Sequence, residues 1–256
     1  MSPVSSVQGS SGYSPYSVIA GGGQFNKAAQ GASELAIQEK TKAQVGGLDA
    51  GRENMQYAKS ALNVEDGAME GITDFLQQIK EKSIKAMNGT LSDSDKKTVQ
   101  DEINEMMKGI EEAAGQASFN GKNLLNGSTQ DMKVASDGNG GEESVPTADL
   151  SLKSLGLEGF DVTKKDVDIS AIDKALEKVQ GARTKAGAQT NAIEAAMTYN
   201  SHAAMELNGY QVNKEEEQTV KAYQDMKTRQ VLDNYQMTLQ NQQMKDEQDK
   251  ARNIFM

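Results

Sequence analysis

The stretch MQYAKSALNVEDGAMEGITDFLQQIKEKSIKA, residues 55–86, decides the fold class. One set of its residues recurs at alternating spacings of 3 and 4 through nine steps, and only two of its ten members are polar. The set is Met55, Ala58, Leu62, Glu65, Met69, Ile72, Leu76, Ile79, Ser83 and Ala86. A repeat of 3.5 residues keeps one helix face against a neighbouring helix, so this stretch predicts a long helix that packs lengthwise in a bundle.

A second stretch with the same alternation follows near the C-terminus. Its members are Ile172, Leu176, Val179, Arg183, Ala186, Thr190, Ile193 and Met197, and Ser170-Ala-Ile-Asp173 before them has the pattern of a capping box. The two stretches are able to pair with each other. We define the packing seam of the predicted rod as Met55, Leu62, Met69, Ile72, Leu76, Ile79, Ile172, Leu176, Val179, Ile193 and Met197.

Breaker residues divide the rest of the chain. A first helix is predicted from Ala28 to about Val45, ending before Gly46-Gly47. Asn88-Gly89 ends the seam helix, and Ser92 begins a second helix that folds back as a hairpin, with an apolar stripe at Val99, Ile103, Met106, Ile110, Ala113 and Ala117. Asn-Gly turns and alternating residues such as Asp149-Leu-Ser-Leu152 then predict two or three short strands.

These elements predict a mainly α protein with a small β region, an elongated antiparallel helical bundle with short strands at its tip. Five segments are expected: a flexible Ser/Gly arm (1–24), rod helices including the hairpin (25–118), a strand-rich tip insert (119–169), a C-terminal rod helix (170–209) and a polar C-terminal helix (210–256). The last has only a thin apolar stripe at Val220, Tyr223, Leu232, Tyr235 and Leu239, so it needs a partner to be stable.

Composition excludes several functions. Acidic residues outnumber basic ones by 37 to 27, and a net charge of −10 disfavours nucleic acid as a partner. With no Cys and a single His, thiolate chemistry and His-based metal sites or triads are improbable, and we expect no cofactor and no enzymatic activity. No apolar stretch is long enough for membrane insertion, and the N-terminus, uncharged before Lys27 and lacking an apolar core, predicts no Sec signal peptide.

Two features that could suggest a ligand site, a lone histidine and a group of acidic residues, are expected to have no such role. The lone His202 is expected to be an ordinary helix residue. Asp137, Asn139, Glu142 and Glu143 lack the ligand spacing of a calcium loop and are expected to form a solvated turn.

Five motifs in order resemble bacterial flagellin. They are GASELAIQE (31–39), AMEGITDFLQQIKE (68–81), SFNGKNLLNG (118–127), LGL with FDV (155–162) and RTKAGAQTNAIE (183–194). The resemblance implies an extracellular structural subunit of the flagellar filament, exported through the flagellar type III channel with a chaperone and polymerised with itself or with other flagellin subunits for motility.

Differences from the family leave alternatives open. Flagellins begin with a long heptad helix, whereas the Ser/Gly arm stands at that place here, which favours a secreted, non-polymerising flagellin-like interaction protein as the alternative. A hook-filament junction protein is a minor alternative. An enzyme on this scaffold would need an inserted catalytic domain, for which the segment between Gly127 and Ser170 is too short.

The resemblance also implies a surface for the flagellin-sensing Toll-like receptor. Carried over by position, this surface is Gln77, Gln78, Glu81, Lys82 and Glu102. The family's Arg and Leu are replaced by Gln78 and Lys82, while its Glu is retained as Glu102. Because hot-spot truncations cost about 2 kcal/mol or more each, two losses predict receptor affinity weaker by a factor on the order of 10³.

Overall fold

A computed structural model of the chain describes residues 13–164 and 167–254. The chain divides into two compact units, one containing the segments up to Val45 and from Ala204, the other containing Gly46–Ala203. The elements are α1 (Pro15–Ala20), a 3₁₀ turn (Ala28–Gln30), α2 (Ala32–Ala86), α3 (Asp93–Gln116), β1 (Ser118–Phe119), β2 (Lys122–Asn123), β3 (Met132–Ala135), β4 (Glu142–Val145), α4 (Leu152–Leu155) and α5 (Ser170–Ile254). The mainly helical fold with short antiparallel strands is confirmed.

The seam of α2 is the centre of the second unit. All ten residues that recur between Met55 and Ala86 are buried, none more than 4% exposed. Their apolar members share one core with Ile103 and Ile110 of α3 and with Val179 and Ile193 of α5. The continuous 3.5-residue repeat places every member on the face that two other helices cover.

The predicted helix end at Gly46-Gly47 is wrong, because α2 runs through both residues. Instead, glycines of α2 lie against the loop at residues 136–138. A Cβ on Gly51, one turn further along, would lie 1.9 Å from the carbonyl oxygen of Ser136. Asn200 of α5, only 4% exposed, donates its amide hydrogen to the same oxygen at 2.6 Å. The absence of a side chain therefore lets the loop lie directly on the helix backbone.

This contact gives a first prediction. We expect Gly51→Ala to lower the free energy of unfolding by about 2 kcal/mol, because the backbone of the loop must move to make room for the methyl group. Gly67, also inside α2, has nothing within 4 Å of where its Cβ would be, and is the matched control. Gly67→Ala should raise the free energy of unfolding by up to about 1 kcal/mol through helix propensity alone. Urea titration measures both, and equal stability of Gly51→Ala and wild type would contradict the contact.

In the first unit, part of the segment predicted to be a flexible arm is folded, so that prediction is wrong for residues 15–20. Residues 1–12 lie outside the described residues, but Pro15–Ala20 form α1, whose Val18 is fully buried together with Ala222 of α5. The hydroxyl of Tyr13 donates to Asp225 at 2.9 Å. The N-terminal segment thus packs on the C-terminal helix, supplying a partner that composition did not reveal.

One glycine makes this packing possible. Gly23 has a φ of +89°, and a Cβ there would lie 1.9 Å from the carbonyl oxygen of Glu215 in α5. Both the positive φ and the close approach require glycine.

The strands form two small hairpins. Phe119 pairs with Lys122 across Asn120 and Gly121, which have φ values of 49° and 75°, as the Asn-Gly signal predicts. Met132 pairs with Val145 in the β3–β4 hairpin. The strand expected at Asp149–Leu152 is wrong, because Ser151 caps the short helix α4 and accepts a hydrogen bond from the Ser154 amide at 3.3 Å.

Helix starts were predicted with mixed success. The predicted start of α3 at Ser92 is confirmed, and the structure adds a capping box: the Ser92 hydroxyl accepts from the Asp95 amide at 3.2 Å and the Asp95 carboxylate accepts from the Ser92 amide at 3.0 Å. The box predicted at the start of α5 is wrong. There Asp168 accepts hydrogen bonds from the amide and hydroxyl of Ser170, and Asp173 pairs with Lys80 instead. Beyond it, α5 continues without interruption through the expected segment boundary at 209/210.

Candidate functional site

Ion pairs fix α5 against α2 in the second unit. Lys59 binds Glu194 at 2.7 Å, Asp66 binds Arg183 at 2.9 Å, and Lys80 binds Asp173 at 2.6 Å. Residue numbers rise along α2 while they fall along α5, so the two helices are antiparallel. Arg183 and Thr190 are the polar members of the second heptad stretch, and the ion pair with Asp66 accounts for the charge at position 183.

The predicted packing seam is mostly interior. Its residues fall into two groups: Met55, Leu62, Met69, Ile72, Leu76, Ile79, Ile172, Val179 and Ile193 are buried, while Leu176 and Met197 are half-buried. Buried apolar side chains of this size each contribute about 1.5–3 kcal/mol to stability. The seam therefore stabilises the fold of the second unit, and its buried residues are not accessible to partners.

The residues expected to contact the receptor lie on α2 and α3. Gln77, Gln78, Glu81 and Glu102 are exposed, and Lys82 is half-buried. The ammonium group of Lys82 binds the carboxylate of Glu102, so the structure brings these two predicted positions together across the hairpin. The pair gives Glu102 an intramolecular partner.

The distal part of α5 is an open helical surface. Every residue from 227 to 250 is exposed. Leu232, Tyr235 and Leu239 follow one another at spacings of 3 and 4 on this helix and are 53%, 62% and 38% exposed. We call these three residues the distal stripe. A helix with an uncovered apolar stripe is stabilised by docking on another helix.

No catalytic arrangement is visible among the described residues. Within residues 13–164 and 167–254, no three His, Asp or Glu side chains are placed to hold a metal ion. Asp137 closes its own turn by accepting from the amides of Asn139 and Gly141, as expected, and His202 is exposed. None of the described helices has the length and apolar character needed to cross a membrane.

The sequence analysis assigned no role to two of the buried polar residues, Asn200 and Glu65. Asn200 holds the loop at Ser136, and nothing in its sequence context distinguishes it from a surface residue. Glu65 did carry a signal, because it is an acidic residue on the seam, but no role was assigned to it. Burial, followed by the charges of Asp131 and Asp66, raises the pKa of Glu65 to about 8.

A protein-family model matches the N-terminal half of the chain. The family model described as the bacterial flagellin N-terminal helical region matches residues 16–130. The match begins inside the segment expected to be an arm, in agreement with the packing of α1.

Curated relatives match over a similar extent. The phase 1 flagellin of Salmonella naestved is 32% identical over 170 residues, which are 66% of this chain and 34% of that protein. The flagellin of Salmonella dublin matches with the same identity and coverage. The chain thus spans about a third of the length of these relatives.

A solved structure shares the fold. The crystal structure of Bacillus cereus flagellin aligns with a TM-score of 0.53 at 24% identity, covering 58% of this chain and 88% of that one. Residues 16–130 thus match the flagellin family model, the curated flagellins are similar over 170 residues, and the fold is that of a solved flagellin.

Proposed function

We propose that this protein is a structural subunit that assembles with other flagellin subunits into the flagellar filament. The observation that carries the proposal is the run of exposed residues from 227 to 250, which leaves the distal stripe uncovered. Most of the stability of a protein helix comes from packing of its apolar face, so an apolar stripe gains stability when a second helix covers it.

Charge sets the conditions for assembly. With a net charge of −10, copies of the chain repel one another. Salt screens this repulsion, since the Debye length falls from about 30 Å at 0.01 M to about 10 Å at 0.1 M. Burial of apolar side chains is affected far less, so assembly should increase with ionic strength.

A sedimentation experiment tests the proposal. Purified protein is concentrated at low and at moderate salt, alone and with sheared flagellar filaments as seeds, and then pelleted by ultracentrifugation and viewed by negative-stain microscopy. We expect fibres, or incorporation into the seeds, with more pelleted protein at the higher salt concentration. Protein that stays in the supernatant under all four conditions would contradict assembly and favour the soluble interaction protein.

The route to the filament follows from the same assignment. We infer export through the flagellar type III channel with the help of a chaperone, and an extracellular location in the filament. The similarity to flagellins supports this inference. A role in building the filament, rather than catalysis, agrees with the packing of α2, α3 and α5 into one shared core.

Receptor recognition is proposed to be weak. Two features support this: Gln78 and Lys82 stand where the family has Arg and Leu, and Lys82 already binds the one retained position, Glu102. A receptor group that uses Glu102 must first displace the lysine. The ion pair therefore adds a cost to the two missing contacts.

A further inference from the structure

Glu65 lies in the apolar seam of α2 and is 1% exposed. Its seam neighbours are Leu62 and Met69, both also buried. None of the described residues makes a hydrogen bond with its Oε2 atom. A buried carboxylate without partners is costly, whereas the neutral acid is tolerated far better.

A cavity of about 280 Å³ adjoins this carboxyl group. One wall is the segment Pro146–Leu150 after β4, and the other is α5, through residues that include Lys178, Ala182 and Lys185. Glu65 thus lies where three parts of the second unit meet.

The charged groups around Glu65 do not neutralise it. On α2, Asp66 is adjacent and is bound to Arg183. From the strand region come Asp149, in the cavity wall, and Asp131, which accepts a hydrogen bond from the Thr147 amide at 2.9 Å.

The lysines of α5 do not offset this negative field within the described residues. Lys178 and Lys185 line the cavity, but the Lys178 ammonium donates to the carbonyl oxygen of Ser154 at 2.8 Å. Neither lysine is among the charges that shift the pKa of Glu65. Ionisation of Glu65 would add a negative charge beside Asp66 and Asp131.

We propose that Glu65 makes the packing of α2 against α5 and residues 146–150 sensitive to pH: the neutral acid fits the seam, and the carboxylate loosens it. The inference concerns folding of the single subunit and does not depend on assembly. Filament formation and this pH response can therefore fail separately.

The direction of the response follows from the pKa of Glu65, which folding raises from 4.5 to about 8. Below the unfolded value both states carry the proton, and the contribution to stability is fully present. Between the two values the unfolded chain releases the proton while the folded chain keeps it, so the unfolding equilibrium constant rises about tenfold per pH unit. Above pH 8 this contribution is lost.

Urea unfolding of the full chain at pH 5, 6, 7 and 8 tests the proposal. The variants are Glu65→Gln, which keeps the shape, and Glu53→Gln, a control at an exposed glutamate of the same helix. Other groups also titrate in this range, so the informative quantity is the difference from wild type. We expect Glu65→Gln to remove an increase of about tenfold per pH unit in the unfolding constant and Glu53→Gln to leave it. Identical pH dependence of wild type and Glu65→Gln would overturn the proposal.

If Glu65→Gln folds poorly, the proposal can be tested on the wild-type protein by measuring the pKa values of its glutamate side chains. With ¹³C-labelled glutamate, one side-chain carboxyl resonance of the folded protein should titrate with a midpoint well above pH 6. A set of glutamate resonances that all titrate below pH 6 would show that Glu65 is ionised in the folded state, against the proposal.

Discussion

Replacing both leucines of the distal stripe with aspartate, Leu232→Asp with Leu239→Asp, should abolish assembly. Each leucine contributes about 1.5–3 kcal/mol when a partner helix covers it, so losing two weakens each subunit contact at least 100-fold. The new carboxylates would also have to be buried, which adds to the loss. In the sedimentation experiment, the double variant should stay in the supernatant at concentrations where the wild type forms pellets.

The matched control uses the same helix and the same charge. Gln236→Asp with Gln243→Asp adds two carboxylates at the same spacing of seven residues, at exposed positions outside the stripe. This variant should assemble nearly as well as wild type at moderate salt. If both double variants failed equally, charge rather than the stripe would control assembly. If both assembled, the stripe would have no part in it.

Restoring the family's residues on the hairpin should increase receptor signalling by a factor on the order of 10³. The variant combines Gln78→Arg with Lys82→Leu. It supplies both missing contacts and removes the ammonium group that binds Glu102. A reporter-cell titration of wild type, the double variant and a typical flagellin measures the change as a shift in the half-maximal concentration.

A third substitution tests whether the gain in signalling depends on receptor contact with Glu102. Adding Glu102→Ala to the double variant should reverse most of the gain, since Glu102 is the retained carboxylate. Wild-type protein that matched a typical flagellin in potency would contradict weak recognition at this surface. A gain that survived Glu102→Ala would place the contact elsewhere.

The seam of α2 could be predicted because its signal is long and local. Nine steps without a slip leave one face for burial, and that face is buried throughout. The stripe of α3 was predicted less well. Met107 and Ala114 are buried, whereas the expected Met106 and Ala113 are only half-buried. This helix also contacts the segment before α5, where Gln100 accepts a hydrogen bond from the Val162 amide at 2.7 Å, and a second neighbour rotates the buried face.

The errors share a physical origin in contacts between distant residues. Gly47 and Gly51 look like helix breakers, but the loop that packs on them is supplied by residues 136–138. The composition around Val18 is that of a flexible linker, and its burial depends on Ala222. Local propensity gives no information about such partners.

Of the surface features of the candidate site, one could be predicted from the sequence and one could not. Exposure of the distal stripe follows from a polar, weakly patterned helix and was foreseeable. The ion pair between Lys82 and Glu102 was not: the resemblance placed both residues on one surface, but their direct contact depends on the register of the hairpin.

Gly23 limits which residues this chain accepts where its N-terminal segment meets α5. Its partner on α5 is a backbone carbonyl, so no compensating exchange of a side chain on the opposing helix can accommodate a larger residue. The N-terminal segment therefore keeps this contact only with glycine at position 23, and in a saturation library at this position we expect glycine alone to preserve the packing.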